Sequence, residues 1–196
     1  MEVAMMHRLF WCSSGRAVIV SGMQTFVLAG GCFWCLDAAY RVLDGVTKVV
    51  SGYTGGTVAN PTYEEVCTDT TDHAEAVSIT FDESVIPPEV ILNVFFTIHD
   101  PTTLNRQGKD EGRQYRSGMF YADEEQKAAF EEALERAKDI WDDPIVTEIT
   151  KLGKFYDAED YHQDFFTKNP ERGSCVTVIA PKVQKVRQQY LGYIKA

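Results

Sequence analysis

The sequence predicts an α/β fold in one domain, a mixed β-sheet covered by helices. Three observations carry this. The 196 residues are 44% hydrophobic, enough for a full core and too apolar for general disorder. Strand-like stretches alternate with helical periodicity, but without the strict βαβ regularity of a parallel sheet. No internal repeat or low-complexity segment interrupts the pattern. Twenty-nine acidic residues oppose nineteen basic ones, a formal charge of -10, which argues against nucleic-acid phosphate or an anionic membrane as a partner. No apolar run approaches the ~20 residues that a membrane-spanning helix needs.

Residues 1–24 stand apart. Leu9-Phe10-Trp11-Cys12 and Val18-Ile19-Val20 faintly suggest a targeting segment, but Ser13-Ser14-Gly15-Arg16 breaks the apolar run. They are read as an extension outside a single domain of residues 25–196. Thr25 to Ala29 is a short apolar run before paired glycines and reads as a buried strand. Leu36, Ala39, Tyr40 and Leu43 follow at i, i+3, i+4, i+7, a helix with Gly45 as its stop. Val46 to Tyr53 is strand-like, and a turn-rich loop runs to Pro61. Tyr63 and Cys67 fit one helical turn. In Ala74 to Phe81 strict alternation puts Glu75, Val77, Ile79 and Phe81 on one face. Pro87-Pro88 opens a helix with Val90, Ile91, Val94, Phe95 and Ile98 on its apolar stripe. A long polar loop, His99 to Gly112, has the length of a functional loop. Then come a strand at Tyr115 to Tyr121, a helix from Asp123 to Trp141 with Gln126 at cap spacing, and a strand at Val146 to Thr150. A short helix is expected from Glu159 to Lys168, Cys175 on a mobile loop, and a last helix carrying Val183, Val186, Tyr190 and Tyr193.

Two residues carry chemistry in this reading. Cys32, in Gly30-Gly31-Cys32-Phe33-Trp34-Cys35, sits where a strand turns into a helix. The free N–H groups and positive dipole end of that helix should lower its thiol pKa and make it a nucleophile. Phe33 and Trp34 set two aromatic faces beside it. The competing reading is a buried structural thiol, about as common for cysteine. Glu75 lies on the apolar side at a strand start. There it is either a proton-holding carboxyl with raised pKa or, the more ordinary outcome, a frayed end in water. The cysteines, Cys12, Cys32, Cys35, Cys67 and Cys175, are odd in number and scattered, which fits a reducing compartment better than a disulfide scaffold. No Cys/His set has zinc spacing, so no metal is expected.

Beyond these residues the chain resembles the A-type peptide methionine sulfoxide reductases. The resemblance is carried by Gly31-Cys32-Phe33-Trp34-Cys35, Gly52-Tyr53-Thr54-Gly55-Gly56, Asn60-Pro61-Thr62-Tyr63 and His73-Ala74-Glu75-Ala76-Val77. It continues through His99-Asp100-Pro101-Thr102-Thr103, Arg106-Gln107-Gly108, Asp110, Gln114-Tyr115-Arg116-Ser117 and Tyr161-His162-Gln163-Asp164. Blocks in this order are far more specific than a lone CxxC. The resemblance implies a two-layer α/β (α+β) sandwich with a βαββ-type, ferredoxin-like core and a long C-terminal coil and helix. It implies reduction of the S epimer of methionine sulfoxide, free or protein-bound, as a repair of oxidised proteins. Cys32 would be the nucleophile and pass through a sulfenic acid, and Glu75 the proton donor. Tyr63 and Tyr115 would hydrogen-bond the sulfoxide oxygen or the water beside it, Asp110 would contact the substrate main chain or hold the site polar, and Phe33 and Trp34 would hold the methyl group. No cofactor is implied beyond an external dithiol such as thioredoxin. The implied protein is a cytoplasmic monomer whose partners are oxidised proteins and peptides.

The sequence departs from the common family pattern at Cys35, where many members carry Gly. Cys35 is one helical turn from Cys32, ready for a CxxC disulfide. Cys175 stands where the family often has its resolving thiol. Cys175 is the preferred resolving residue here, with Cys35 as an intermediate or second partner. Cys67 is read as a packed core thiol, and Cys12 as uninvolved. Two rival functions remain at this level: a general thiol–disulfide oxidoreductase using Cys32 and Cys35, and a non-catalytic binding module for oxidised methionine.

Overall fold

The computed structural model describes residues 9–11, 17–19 and 22–196. Expectations for Cys12 and for most of the targeting stretch lie outside the described residues. In chain order the elements begin with a small antiparallel pair, β1 (Leu9–Trp11) and β2 (Ala17–Ile19). There follow β3 (Met23–Gly30), α1 (Phe33–Arg41), β4 (Val46–Thr54), α2 (Tyr63–Cys67), β5 (Ala74–Asp82) and α3 (Pro88–Ile98). The hairpin β6 (Arg106–Gln107) and β7 (Asp110–Glu111) leads through a 3₁₀ turn, Arg113–Tyr115, to β8 (Ser117–Tyr121). Then come α4 (Glu124–Lys138), β9 (Glu148–Lys151), β10 (Tyr156–Asp157), a 3₁₀ turn Asp160–His162 and α5 (Phe165–Lys168). A π-helical turn, Cys175–Ile179, runs into α6 (Ala180–Gln189), and a last 3₁₀ turn is Leu191–Tyr193.

The main sheet has six strands in the order β10-β4-β5-β3-β8-β9. Its pairs are antiparallel except β8 with β9, which is parallel. The mixed sheet is therefore as expected. Within it, β3-α1-β4-β5-α3-β8 gives the spatial order β4-β5-β3-β8, the arrangement of a ferredoxin-like core. Met23 and Gln24 already pair with Asp82 and Phe81, so two residues assigned to the extension belong to the sheet.

Alternation along β5 decides what each layer receives. Val77, Ile79 and Phe81 enter the main core with Leu36 and Tyr40 of the first helix, Leu43 just beyond it, and Ile91, Val94 and Phe95 of α3. Ala74 and Ala76 face the other way, onto Val27, Ala29 and Phe120. Tyr40, fully buried, donates its hydroxyl to the Ile91 carbonyl at 3.0 Å, so the two helices are joined by a satisfied polar contact. The first helix ends at Arg41 with Val42 as its C-cap, ahead of the expected stop; Gly45, at φ +85°, instead turns the chain into β4. Asp123 caps α4 by accepting from the Gln126 N–H at 2.9 Å.

Three expectations are corrected. The segment Glu159 to Lys168 is not one helix: Asp164 takes φ +53°, which splits it into a 3₁₀ turn and α5. Cys175 is not on a mobile loop but fully buried at the start of the π-helical turn. Cys67 is not a core thiol, because it is exposed at the end of α2, where Val66 rather than Cys67 faces inward. Helical spacing over one turn leaves the inward residue undetermined, and α2 is too short to show a stripe.

Candidate active site

The site forms where β3 ends. Gly31 turns the chain with φ +83°, and Cys32 becomes the residue preceding α1, with extended backbone angles and the first helical N–H groups ahead of it. A Cβ on Gly31 would lie 2.4 Å from Cγ of Gln107, so only glycine lets the β6–β7 hairpin close over the turn. Gln107 is held there by an amide pair with the Asp100 backbone. Cys32 as a residue is only partly buried.

Glu75 enters from the neighbouring strand. It is 1% exposed, and one carboxyl oxygen accepts the Phe33 N–H at 3.0 Å. The ordinary alternative, a frayed strand end in water, is thereby excluded. Burial drives its pKa up to about 8 against the Phe33 hydrogen bond, and the charges of Asp110 and Cys35 add to the rise. Phe33 N–H occupies one oxygen as an acceptor. Among the described residues the other has no hydrogen-bond partner, so it can carry the proton.

The thiols differ from expectation. The Cys32 thiol is pushed up, not down, by its hydrogen bond to Cys35, by burial and by the Glu75 charge. The Cys35 thiol is pulled down to about 7 by the same hydrogen bond, which outweighs its burial, with further help from Lys182. A helix N-terminus favours a thiolate, but a buried carboxyl and a second sulfur beside it oppose that field. The two thiols are therefore driven in opposite directions, Cys32 up and Cys35 down.

Aromatic side chains wall the site. Trp34 is half-buried and stacks on Phe165, ring centroids 3.7 Å apart and planes 4° from parallel. Its indole N–H donates to His162 Nδ1 at 3.1 Å. Phe33 is almost fully buried between Tyr53 and His162. The Tyr63 ring lies 4.4 Å from the His162 ring. Burial, and then the charge of Glu75, raise the Tyr115 hydroxyl pKa. Burial and a hydrogen bond with Cys67 lead the rise at Tyr63, to which Glu75 also contributes. Both phenols therefore stay protonated donors near Glu75. Asp110 is exposed on β7, and its charge is felt at Glu75, Cys35 and Tyr115. Cys32, Phe33, Trp34, Tyr63, Glu75, Asp110 and Tyr115 thus converge on one place. Cys35 joins them through Cys32, and Cys175 lies behind Cys35 in one apolar cluster with Phe165 and Val183.

Sequence reasoning missed several contributors. Glu159 accepts both the Tyr53 hydroxyl and the Tyr63 backbone N–H, each at 2.9 Å, and so ties α2 to the sheet. His162 and Phe165 orient Trp34. His162 stood in a motif block but had no role assigned. Lys182 had no signal at all, because nothing in α6 marks which face meets Cys35.

A cysteine at a strand-to-helix turn, a buried carboxyl with raised pKa, and an aromatic wall define a cysteine-dependent redox site on an α/β sandwich. The chain belongs to the family of peptide methionine sulfoxide reductases, oxidoreductases whose family model matches residues 24–193. It is 61% identical to the peptide methionine sulfoxide reductase MsrA of Clavibacter michiganensis subsp. michiganensis, over 89% of this chain and 99% of that protein. Its fold is similar to the reduced form of Mxr1 from Saccharomyces cerevisiae, with TM-score 0.75, 32% identity, and 85% of this chain and 93% of Mxr1 covered. It is also similar to Mxr1 in complex with Trx2, with TM-score 0.54, 27% identity, and 74% of this chain and 85% of that chain covered.

Proposed function

We propose that this protein reduces the S epimer of methionine sulfoxide, free and in oxidised proteins, and is recycled by thioredoxin through an internal disulfide. The observation that carries the reading is the buried, proton-holding Glu75 beside Cys32. A sulfoxide oxygen entering the site meets an acid there. As Glu75 gives up its proton, the sulfoxide sulfur becomes electrophilic and the Cys32 thiolate attacks it. Tyr63 and Tyr115 donate to the same oxygen, Asp110 contacts the substrate main chain, and Trp34 with Phe33 receives the methyl group. The S–S bond so formed then breaks as the protonated oxygen passes from the methionine sulfur to the Cys32 sulfur, so methionine leaves with two electrons and Cys32 is left as a sulfenic acid. Because the acid and the apolar wall are fixed, only one arrangement of oxygen, methyl and chain around the sulfur fits.

The hydrogen-bonded Cys32–Cys35 pair supports Cys35 as the first resolving thiol, giving a disulfide and water. The adjacency of Cys35 and Cys175 supports a second exchange, in which Cys175 attacks Cys35 and frees Cys32. Thioredoxin then reduces the Cys35–Cys175 bond. The relative crystallised with Trx2 supports that partner. No organic cofactor is needed, and among the described residues no cluster of His, Cys, Asp and Glu has the form of a metal site. The free thiols Cys32, Cys35, Cys67 and Cys175 suit a monomer working in a reducing compartment such as the cytoplasm. Among the described residues, no helix is long and apolar enough to cross a membrane.

The test is incubation of the protein with each resolved epimer of a blocked methionine sulfoxide and dithiothreitol, with Cys32→Ser alongside. Only the S epimer should be converted, and the variant should convert neither. A folded wild-type protein that converts neither epimer would overturn the proposal.

A further inference from the structure

Gly55, Gly56 and Arg116 belong to motif blocks of the sequence, yet the proposed reaction uses none of them. They meet at a cavity of about 420 Å³, whose far wall includes Gly153 and Lys154 of the segment crossing from β9 to β10. Phe120 also lines the cavity and packs with Ala74 and Ala76. The cavity therefore opens on the face of the sheet away from α1 and Glu75, separate from the active site.

Its charge is uneven. Arg113, Arg116, Lys151 and Lys154 line it with Asp72 and Glu148, four cations against two carboxylates. Both carboxylates are taken: Asp72 pairs with Arg113, and Glu148 with Arg116 at 3.3 Å. Among the described residues Lys151 and Lys154 form no ion pair. The Lys154 ammonium lies 4.7 Å from the centre of the Tyr156 ring, another wall of the cavity. Two uncompensated positive charges thus stand together on a chain whose formal charge is -10. Arg116 gives them a fixed centre. It is 3% exposed, and it donates from Nε to Glu148 at 3.3 Å and from Nη1 to the Arg113 carbonyl at 2.9 Å. Its Nη2 has no hydrogen-bond partner among the described residues. Gly55, at φ +79°, keeps that edge of the guanidinium open, since a Cβ there would lie 2.7 Å from Nη2. The fork is already ordered and largely desolvated, so an entering anion gains a charge-assisted bond without freezing a mobile side chain.

We propose that this cavity binds a phosphoryl oxyanion, either free phosphate or the phosphate of a small monoester. Arg116 supplies the rigid donor, and Lys151 and Lys154 close on the remaining oxygens from the rim. A dianion matches the excess of two charges, and tetrahedral oxygens can accept from all three groups at once. A monocarboxylate has one charge and two coplanar oxygens, so it binds more weakly. The ligand would tie the start of β8, β9 and the crossing segment together, and would stabilise the fold by mass action.

Isothermal titration calorimetry on the full chain tests this. The titrants are inorganic phosphate, glycerol 3-phosphate and acetate, at an ionic strength held constant with chloride so that screening does not change. Wild type should bind phosphate saturably, with Kd about 1 mM or tighter, and acetate about tenfold more weakly or worse. The double variant Lys151→Ala, Lys154→Ala should bind phosphate about tenfold more weakly. The double variant Lys127→Ala, Lys138→Ala removes the same charge from α4 and should bind as wild type does. Glycerol 3-phosphate binding as tightly as phosphate supports the site with an ester as its ligand, and binding of phosphate alone supports it with the free ion. Non-saturable heats in wild type overturn the proposal. So does equal affinity in wild type and the Lys151, Lys154 variant, or an equal loss in both double variants, which would mean that attraction follows net charge rather than this cavity.

Discussion

Glu75 is the residue on which the proposed reaction turns, and its position has consequences in both rate and stability. Losing its proton removes the acid and places a negative charge beside Cys32, whose thiol is then held up further. The rate of methionine release should therefore fall as pH rises through about 8. Glu75→Gln keeps a hydrogen bonder for Phe33 N–H but cannot give a proton. It should lose about 10²–10³ of the rate and also the fall above that pH, as single-turnover pH profiles would show. Stability moves in the same direction. The folded protein holds a proton to about pH 8 that the unfolded chain sheds near 4.5. Stability contributed by the neutral form is complete below the lower value and is lost progressively as pH rises between the two, at up to ~1.4 kcal/mol for each pH unit. Urea unfolding should show Glu75→Gln gaining on wild type as pH rises across that window. An advantage independent of pH would mean that the carboxyl is not held neutral.

At the scale of the element, short connections do the positioning. β10 is only two residues, Tyr156 and Asp157, paired to Tyr53 and Gly52. It nevertheless places Glu159, which holds both Tyr53 and the start of α2. A Cβ on Gly52 would come within 2.3 Å of the Tyr156 carbonyl oxygen and 2.4 Å of the Phe155 ring. Backbone cannot yield there without unpairing the strand. Gly52→Ala should cost ~1–3 kcal/mol in urea unfolding and should also raise the KM for sulfoxide, because Tyr63 loses its tether. Gly153→Ala, where a Cβ meets nothing within 4 Å, is the matched control and should leave both unchanged. The same scale divides what could be read. The alternation of β5 and the stripes of α1 and α3 are legible because period and burial reinforce one another along several residues. The break at Asp164 is not, since a left-handed aspartate leaves little mark on local pattern.

The whole molecule brings together residues from the first strand-to-helix turn, the fifth strand, the β6–β7 hairpin, the 3₁₀ turn at His162 and the C-terminal helix. Recycling depends on this convergence. Cys175 follows Cys35 by 140 positions in sequence, yet the two share one cluster. Its π-helical turn is flanked by the exposed run Glu171 to Ser174, and π-helical turns are often found at functional sites. Local unwinding there would bring a buried disulfide to the surface without opening the sheet. Cys175→Ser should therefore still release methionine and form the Cys32–Cys35 bond in one turnover. Its steady-state rate with thioredoxin should fall by about tenfold or more, while dithiothreitol, being small, should support it far better. Thioredoxin turnover at the wild-type rate would remove Cys175 from the pathway.

The sequence by itself determined the sheet-and-helix class, the strand-to-helix placement of Cys32, the apolar-side placement of Glu75 and the motif blocks of the family. Each of these is a local property, set by period, by turn residues or by spacing along the chain. Only the tertiary structure decided that the Cys32 thiol is pushed up and the Cys35 thiol pulled down, that Cys67 faces outward and Cys175 inward, and that Glu159 and His162 support the site. The physical reason is that pKa and burial depend on what lies across space. Desolvation of Glu75 beside Phe33 and the packing of Cys175 with Cys35 arise from segments far apart in sequence, and no window of residues contains them.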